Sequence, residues 1–391
     1  MLLSLFLVAL GGLQTTCDAS RRTERQAREP PEKALYVMSN EVSGNNVVAV
    51  SIAANGSLFG GKSVSTGGIG GNYVSPTDGH PLVPDALSSQ DSLIAVGKFL
   101  FATNAGSNTV SMFTKEMTGL ELLGAPKPSL GQFPTTLAAS LEAKLICVAN
   151  TGAQSGISCA SFSEDGLSDF DMLRPLDVGE TQTPPVGPVP GISDVYFAGD
   201  MSYLFVNVKG NPGIFTTYAA VFKVENGSVA TTATIATPPG SAVLFGTSLI
   251  DGTSNALVAD AGFGALILDL ADLSAEPVAL VNITGQQASC WAATSGLTKT
   301  GFVTDAAVNR LVEIDLSNGD IVQEYYPPTP FPGMTDMAIG GEFLWTLSAG
   351  NGTTPPSINT FDLGAGRGQA KFVTAFAIPG VTANVQGLVA A

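Results

Sequence analysis

Charge is what this sequence has least of. Only 13% of its 391 residues are charged while 45% are apolar, which excludes a disordered chain or a coiled coil. Cations are the scarcer sign: 17 Lys and Arg stand against 33 Asp and Glu, a net charge of −16. Five of the cations (Arg21, Arg22, Arg25, Arg28 and Lys33) share one short N-terminal stretch, and beyond it 12 cations face 29 acids. A body of that sign repels phosphate backbones and anionic lipid, so neither nucleic acid nor a membrane surface is expected as a partner. Histidine occurs once, at His80. Metal-thiolate spacing, a Gly-rich phosphate loop and a Gly-x-Ser-x-Gly elbow are all missing.

The apolar run Leu2 to Leu13 is too short to span a bilayer and fits the core of a secretory signal, ending near Ala19. Residues 1–19 therefore read as a signal peptide. Residues 20–33 are polar and read as a disordered leader or propeptide, with Arg21-Arg22 as a processing site; a solvated tail is the alternative. Four acceptor triplets, at Asn55, Asn226, Asn282 and Asn351, agree with an extracellular, secreted glycoprotein, free or associated with a cell wall.

The strongest signal is a repeat. Seven times an apolar run ends in Asn, Asp or Ser, passes a turn, and continues as an alternating strand. The closing residues are Asn40, Asn104, Asn150, Asn207, Asp260, Asp305 and Ser348, with spacings of 64, 46, 57, 53, 45 and 43 residues. Beyond the second strand, turns such as Asn55-Gly56, Thr118-Gly119, Asp165-Gly166, Asn226-Gly227 and Asn318-Gly319 lead to an outer strand. Ahead of each run lies a shorter strand: Gln90 to Val96, Pro134 to Ser140, Asp194 to Ala198, Ala242 to Leu249, Cys290 to Thr294 and Thr335 to Ile339. The seventh inner strand falls to the C-terminus, Asn384 to Ala390, pairing with Leu35 to Ser39. Residues 34–391 thus read as an all-β, seven-bladed β-propeller closed by its two termini.

The phrase Phe-Ala-Thr-Asn104-Ala-Gly-Ser-Asn-Thr-Val-Ser-Met-Phe113, the Cys290-Trp291 opening of an inner strand, and the insert Pro84-Asp-Ala-Leu-Ser-Ser-Gln-Asp-Ser92 resemble the lactonase-like seven-bladed propellers. That group holds 6-phosphogluconolactonase-like proteins and 3-carboxymuconate cyclases, and the secreted, glycosylated character resembles a fungal branch. The resemblance implies the propeller fold and a hydrolase or isomerase acting on carboxylate- or phosphate-bearing rings. Such substrates call for Arg or Lys at the mouth, whereas the body has only Arg174, Arg310 and Arg367 as arginines. No catalytic residue is therefore carried over from the family.

Inner strands line a propeller's channel, and their starts form one mouth. Those starts supply Gln90, Asp91 and Ser92, then Thr135, Ser193 and Asp194, then Cys290 and Trp291, Thr335 and Asp336, and Gln386. Converging carboxylates at Asp91, Asp194 and Asp336 raise one another's pKa or are neutralised by Ca²⁺ or another divalent cation; no cofactor is otherwise required. The plainer reading is that a Ser/Thr-Asp pair opening an inner strand bonds the neighbouring blade's backbone. His80, in a long insert, is a candidate acid or base if that insert covers the mouth. Cys147 and Cys159 fall opposite each other on one hairpin and suit a disulfide, leaving Cys290 as a buried thiol.

Two functions stand side by side. One is a lactonase- or cycloisomerase-like enzyme, monomeric, acting on a neutral lactone, a polyol or another cyclic small molecule at the acidic mouth, with His80, Asp91, Asp194 and Asp336 as catalytic candidates. The other is a non-catalytic glycoprotein binding a glycan or a protein.

Overall fold

In the structure, a computed structural model, residues 34–116, 119–328 and 331–391 are described. The signal, the leader, Cys17, Arg21-Arg22 and Thr118 lie outside the described residues. Those that are described form 31 strands and no helix, grouped in seven antiparallel sheets of four or five strands. Each sheet is one blade, and in blades two to seven the chain enters at the innermost strand and works outward. The inner strands of those blades are Leu93–Val96, Pro134–Ser140, Gly191–Phe197, Leu244–Leu249, Ser289–Ser295 and Met334–Gly340.

Blade one is built from both chain ends. Its inner strand is Gln386–Ala390, antiparallel to Ala34–Met38 with Leu35 opposite Ala390 and Val37 opposite Leu388. Ala34 and Ala391 exchange backbone hydrogen bonds beyond the ladder. The closure gives blade one the inner strand that the other six blades draw from their own stretch of chain.

The polar residue that ends each repeat has a specific task. The connection from one blade to the next crosses the top of the ring, where its backbone groups have no strand partner and need one. Asp260 accepts from the N–H groups of Ala242 and Val243 at 2.8 and 2.9 Å. Asp305 accepts from Ala288 N–H at 3.0 Å. Asn104 accepts from the Thr66 hydroxyl, Asn150 from the Ser129 hydroxyl, and the Ser348 hydroxyl donates to the Phe331 carbonyl. Asn40 donates to the carbonyls of Gly71 and Asn384. Asn207 differs by reaching forward, donating to the Phe245 carbonyl of the following blade.

Between blades the packing is apolar and continuous. The largest cluster joins blades five, six and seven through Leu257, Trp291, Phe302, Val312 and Phe361, all nearly or fully inaccessible. Cys147 and Cys159 are disulfide-bonded as direct cross-strand partners within blade three.

Blade two departs from expectation. Its ladder begins at Leu93 rather than Gln90, because residues 85–92 leave the sheet and turn into the channel. Asp85, Ser88 and Asp91 take left-handed backbone angles of 70°, 51° and 58° there, a conformation that non-glycine residues adopt only when their surroundings fix it.

Deleting residues 382–391 removes the inner strand of blade one with its buried Leu388, and the buried Val385 just ahead of it. The melting temperature, followed by circular dichroism, is expected to fall by roughly 5 °C or more; an unchanged melt is incompatible with the observed closure.

Candidate functional site

The strands place the site at the axis. Six of the seven inner strands carry a register irregularity close to the mouth: beside Met38 in blade one, Asn150 in blade three, Asp194 in blade four, Thr247 in blade five, Trp291 in blade six and Asp336 in blade seven. Such bulges re-aim side chains and free backbone groups from the ladder. The exception, blade two, is the one whose chain enters the channel.

That entering segment is a plug bonded to the surrounding blades. The Gln90 N–H donates to the Ser193 carbonyl of blade four at 2.8 Å. Its side-chain amide donates to the Thr247 carbonyl of blade five at 2.8 Å and accepts from Ala292 N–H of blade six at 3.0 Å. The Ser89 hydroxyl donates to the Thr135 carbonyl of blade three, and Trp291 Nε1 donates to the Ser89 carbonyl. The Gln386 amide of blade one donates to Asp85 Oδ1 at 3.0 Å. Gly246 is required where the Gln90 amide arrives: a Cβ there would sit 2.0 Å from Gln90 Oε1.

Lys209 locks the plug. Its buried ammonium donates to the Ser88 carbonyl at 2.6 Å and lies 5.2 Å from the ring centres of both Tyr73 and Phe245. Desolvation lowers its pKa to about 8 despite the opposing pull of Asp85, and burial raises Asp85 to about 7 against the pull of Lys209. Sequence reasoning missed both residues. The available signal was Asn207-Val-Lys209, in which alternation past the end of the repeat puts Lys209 on the same face as Asn207.

The three acidic candidates come together but have different commitments. Asp194 Oδ2 accepts from Thr247 N–H of blade five at 2.8 Å, and Asp336 Oδ2 accepts from Leu388 N–H of blade one at 2.9 Å. Both therefore tie their blade to the next, the plainer of the two expectations. Asp91 is half-buried, and no hydrogen bond to its carboxylate is described. Burial alone lifts its pKa to about 7. Desolvation, then the charge of Asp91, pushes Asp194 and Asp336 upward.

The other candidates fall into place around this trio. The Ser193 hydroxyl donates to the Leu244 carbonyl, and Thr136 to Asp194. The hydroxyls of Ser92, Thr135, Ser289 and Thr335 and the Gln386 carbonyl oxygen are buried without a protein partner, a polar layer at the strand starts. Cys290 is buried and free, and burial holds its thiol protonated. Trp291 is fully buried, edge-on to Phe245, so it braces the plug rather than offering a face to a ligand. His80 is exposed on the insert, in a turn capped by Asp78, and the plug rather than His80 reaches the axis.

The polar, acidic mouth is thus filled by the plug, with Lys209 of blade four bonded to it. The opening lies at the other end. A cavity of about 320 Å³ is lined by Asp91 and by the later residues of four inner strands, among them Ile94, Val96, Leu137, Ala139 and Leu249. Asp91 is the only charged group of that lining. Asp194 and Asp336 each accept a backbone N–H, and among the described residues no three His, Cys, Asp or Glu are grouped to hold a metal.

No family model matches the chain, and no curated protein sequence does. Solved structures do share its fold. The periplasmic gluconolactonase of Pseudomonas aeruginosa superposes with a TM-score of 0.65 at 14% identity, over 89% of this chain and 97% of that one. A candidate 6-phosphogluconolactonase of Bacteroides fragilis gives 0.61 at 16% identity, over 92% and 99%. One of Bacteroides uniformis gives 0.55 at 17%, over 91% and 99%. The fold is that of the lactonase-like seven-bladed propellers; at these identities the likeness reaches no further.

The raised carboxyls set a pH dependence. Each holds in the folded state a proton that the unfolded chain releases near pH 4, so its stabilising share is complete below that pH and lost as pH rises through about 7. Lys209, depressed to about 8, is charged in both states across this window and adds no slope. The melting temperature is expected to fall between about pH 4 and 7, with a shallower fall in Asp91→Asn; equal slopes in the two proteins would remove Asp91 from the account.

Proposed function

We propose that the protein hydrolyses a neutral lactone-like ring in the Asp91 cavity. The observation that carries this reading is one carboxyl without a described partner, its pKa near neutrality, facing the cavity of a plugged channel. An acid or base works best when its pKa lies near the working pH. As carboxylate, Asp91 takes a proton from the water that attacks the ring carbonyl. As acid it returns that proton to the ring oxygen when the C–O bond breaks, so one lactone and one water give one open hydroxy acid and the carboxylate is restored. Asp194 and Asp336, each bonded to a backbone N–H of the following blade, hold the strand starts around Asp91 and are positioning residues. The likeness in fold to a gluconolactonase agrees with this chemistry.

Export to an extracellular or wall-associated setting belongs to the same proposal. It is supported by the Cys147–Cys159 disulfide and by the exposure of Asn55, Asn226, Asn282 and Asn351. One feature favours the non-catalytic alternative. A groove of about 660 Å³ beside the cavity presents Tyr203, 40% exposed, with Asp200, Asp251 and Asn255, an aromatic and polar set suited to a glycan.

Asp91→Asn is expected to lower kcat for lactone hydrolysis by about 10²-fold or more while leaving the fold intact, and to abolish the limb of the pH–rate profile near pH 7. Turnover by the wild-type protein that survives this substitution places the chemistry elsewhere.

A further inference from the structure

The cavity's walls say which ring it takes. Ile94 and Val96 of blade two, Leu137 and Ala139 of blade three and Leu249 of blade five make the wall beside Asp91 mainly hydrocarbon. The polar side chains nearby are engaged: the Tyr196 hydroxyl donates to Asn207 Oδ1, and Ser140 Oγ accepts from Ala143 N–H. A polyhydroxylated ring entering here would bury hydroxyls against alkyl groups, trading water for no partner.

Charge gives the second argument. A phosphate or carboxylate on the substrate would meet Asp91, the one charged group of the lining, and no cation lines the cavity. The buried cation Lys209 is held by the Ser88 carbonyl between two rings on the plug side. We infer that this cavity selects uncharged lactones carrying alkyl substituents over polyhydroxylated or phosphorylated ones. The inference rests on the hydrolytic reading for the word lactone, but its content is the selectivity of the cavity.

Binding separates the two. Calorimetry with non-hydrolysable lactams, one alkyl-substituted, one the polyhydroxylated gluconolactam and one its 6-phosphate, reads selectivity without turnover. The alkyl lactam is expected to bind at least about ten-fold more tightly than gluconolactam, and the phosphate not to bind. Ala139→Trp, which fills the cavity, should abolish alkyl-lactam binding. Ala139→Arg, which adds a cation to the lining, should create binding of the phosphorylated lactam, so a failure of the Trp variant to fold leaves a second measurement. Equal or tighter binding of gluconolactam, alkyl binding that survives Ala139→Trp, or no lactam binding at all overturns the inference. Hydrolysis of sugar lactones that Asp91→Asn abolishes would leave the hydrolytic reading standing while the selectivity falls. Alkyl-lactam binding without turnover of any lactone would do the reverse.

Discussion

The side chain at the end of each blade's second strand is the constraint on which the ring depends. A propeller must cross from the outside of one blade to the inside of the next seven times, and each crossing exposes backbone that no ladder satisfies. In five of the seven repeats the Asn, Asp or Ser at that place bonds the crossing's backbone, as when Asp260 caps Ala242 and Val243. Because the cap and the crossing lie at fixed places in the repeat, the inner strands all start at one level. Asp194 and Asp336 add a second tie, each reaching the following blade's N–H from its own bulge. Packing of Trp291, Phe302 and their neighbours then fills the wedges between blades.

A ring fixed in this way leaves an axial channel, and the chain spends one segment on closing it. Gln90 serves three blades with a single side chain and its own N–H. Burying Lys209 to hold Ser88 is costly in itself, and two aromatic faces and a carbonyl offset the lost hydration. The plug gives the channel two unlike halves: a polar layer bonded from blade to blade, and a hydrocarbon-walled cavity with one carboxyl.

The fold was legible because its constraint is periodic. A residue type recurring every 43 to 64 positions, at the end of apolar runs, is visible without coordinates. The site was legible in part. Asp91, Asp194 and Asp336 do converge, since strand starts share a level, but their roles depend on which N–H groups the bulges free, and bulges leave no period to read. Trp291 looked like a ligand platform on its strand, yet a neighbour in space, Ser89, takes its N–H. His80 drew interest as the lone histidine, while the insert's contribution at the axis came from Ser89 and Gln90 ten residues on. Lys209 went unseen because its strand runs two residues past the repeat's end mark.

Closure of blade one by the chain's last strand has a consequence for how the protein is made. Synthesis runs from the N-terminus, and the Ala34–Met38 strand emerges with its inner partner still to be translated. Six blades can assemble in order behind it, but the first-born sheet keeps an open edge until Gln386–Ala390 arrives. The ring therefore cannot close before Gln386–Ala390 has been made, and until then the exposed strand is an edge of the nascent chain in need of a chaperone's cover.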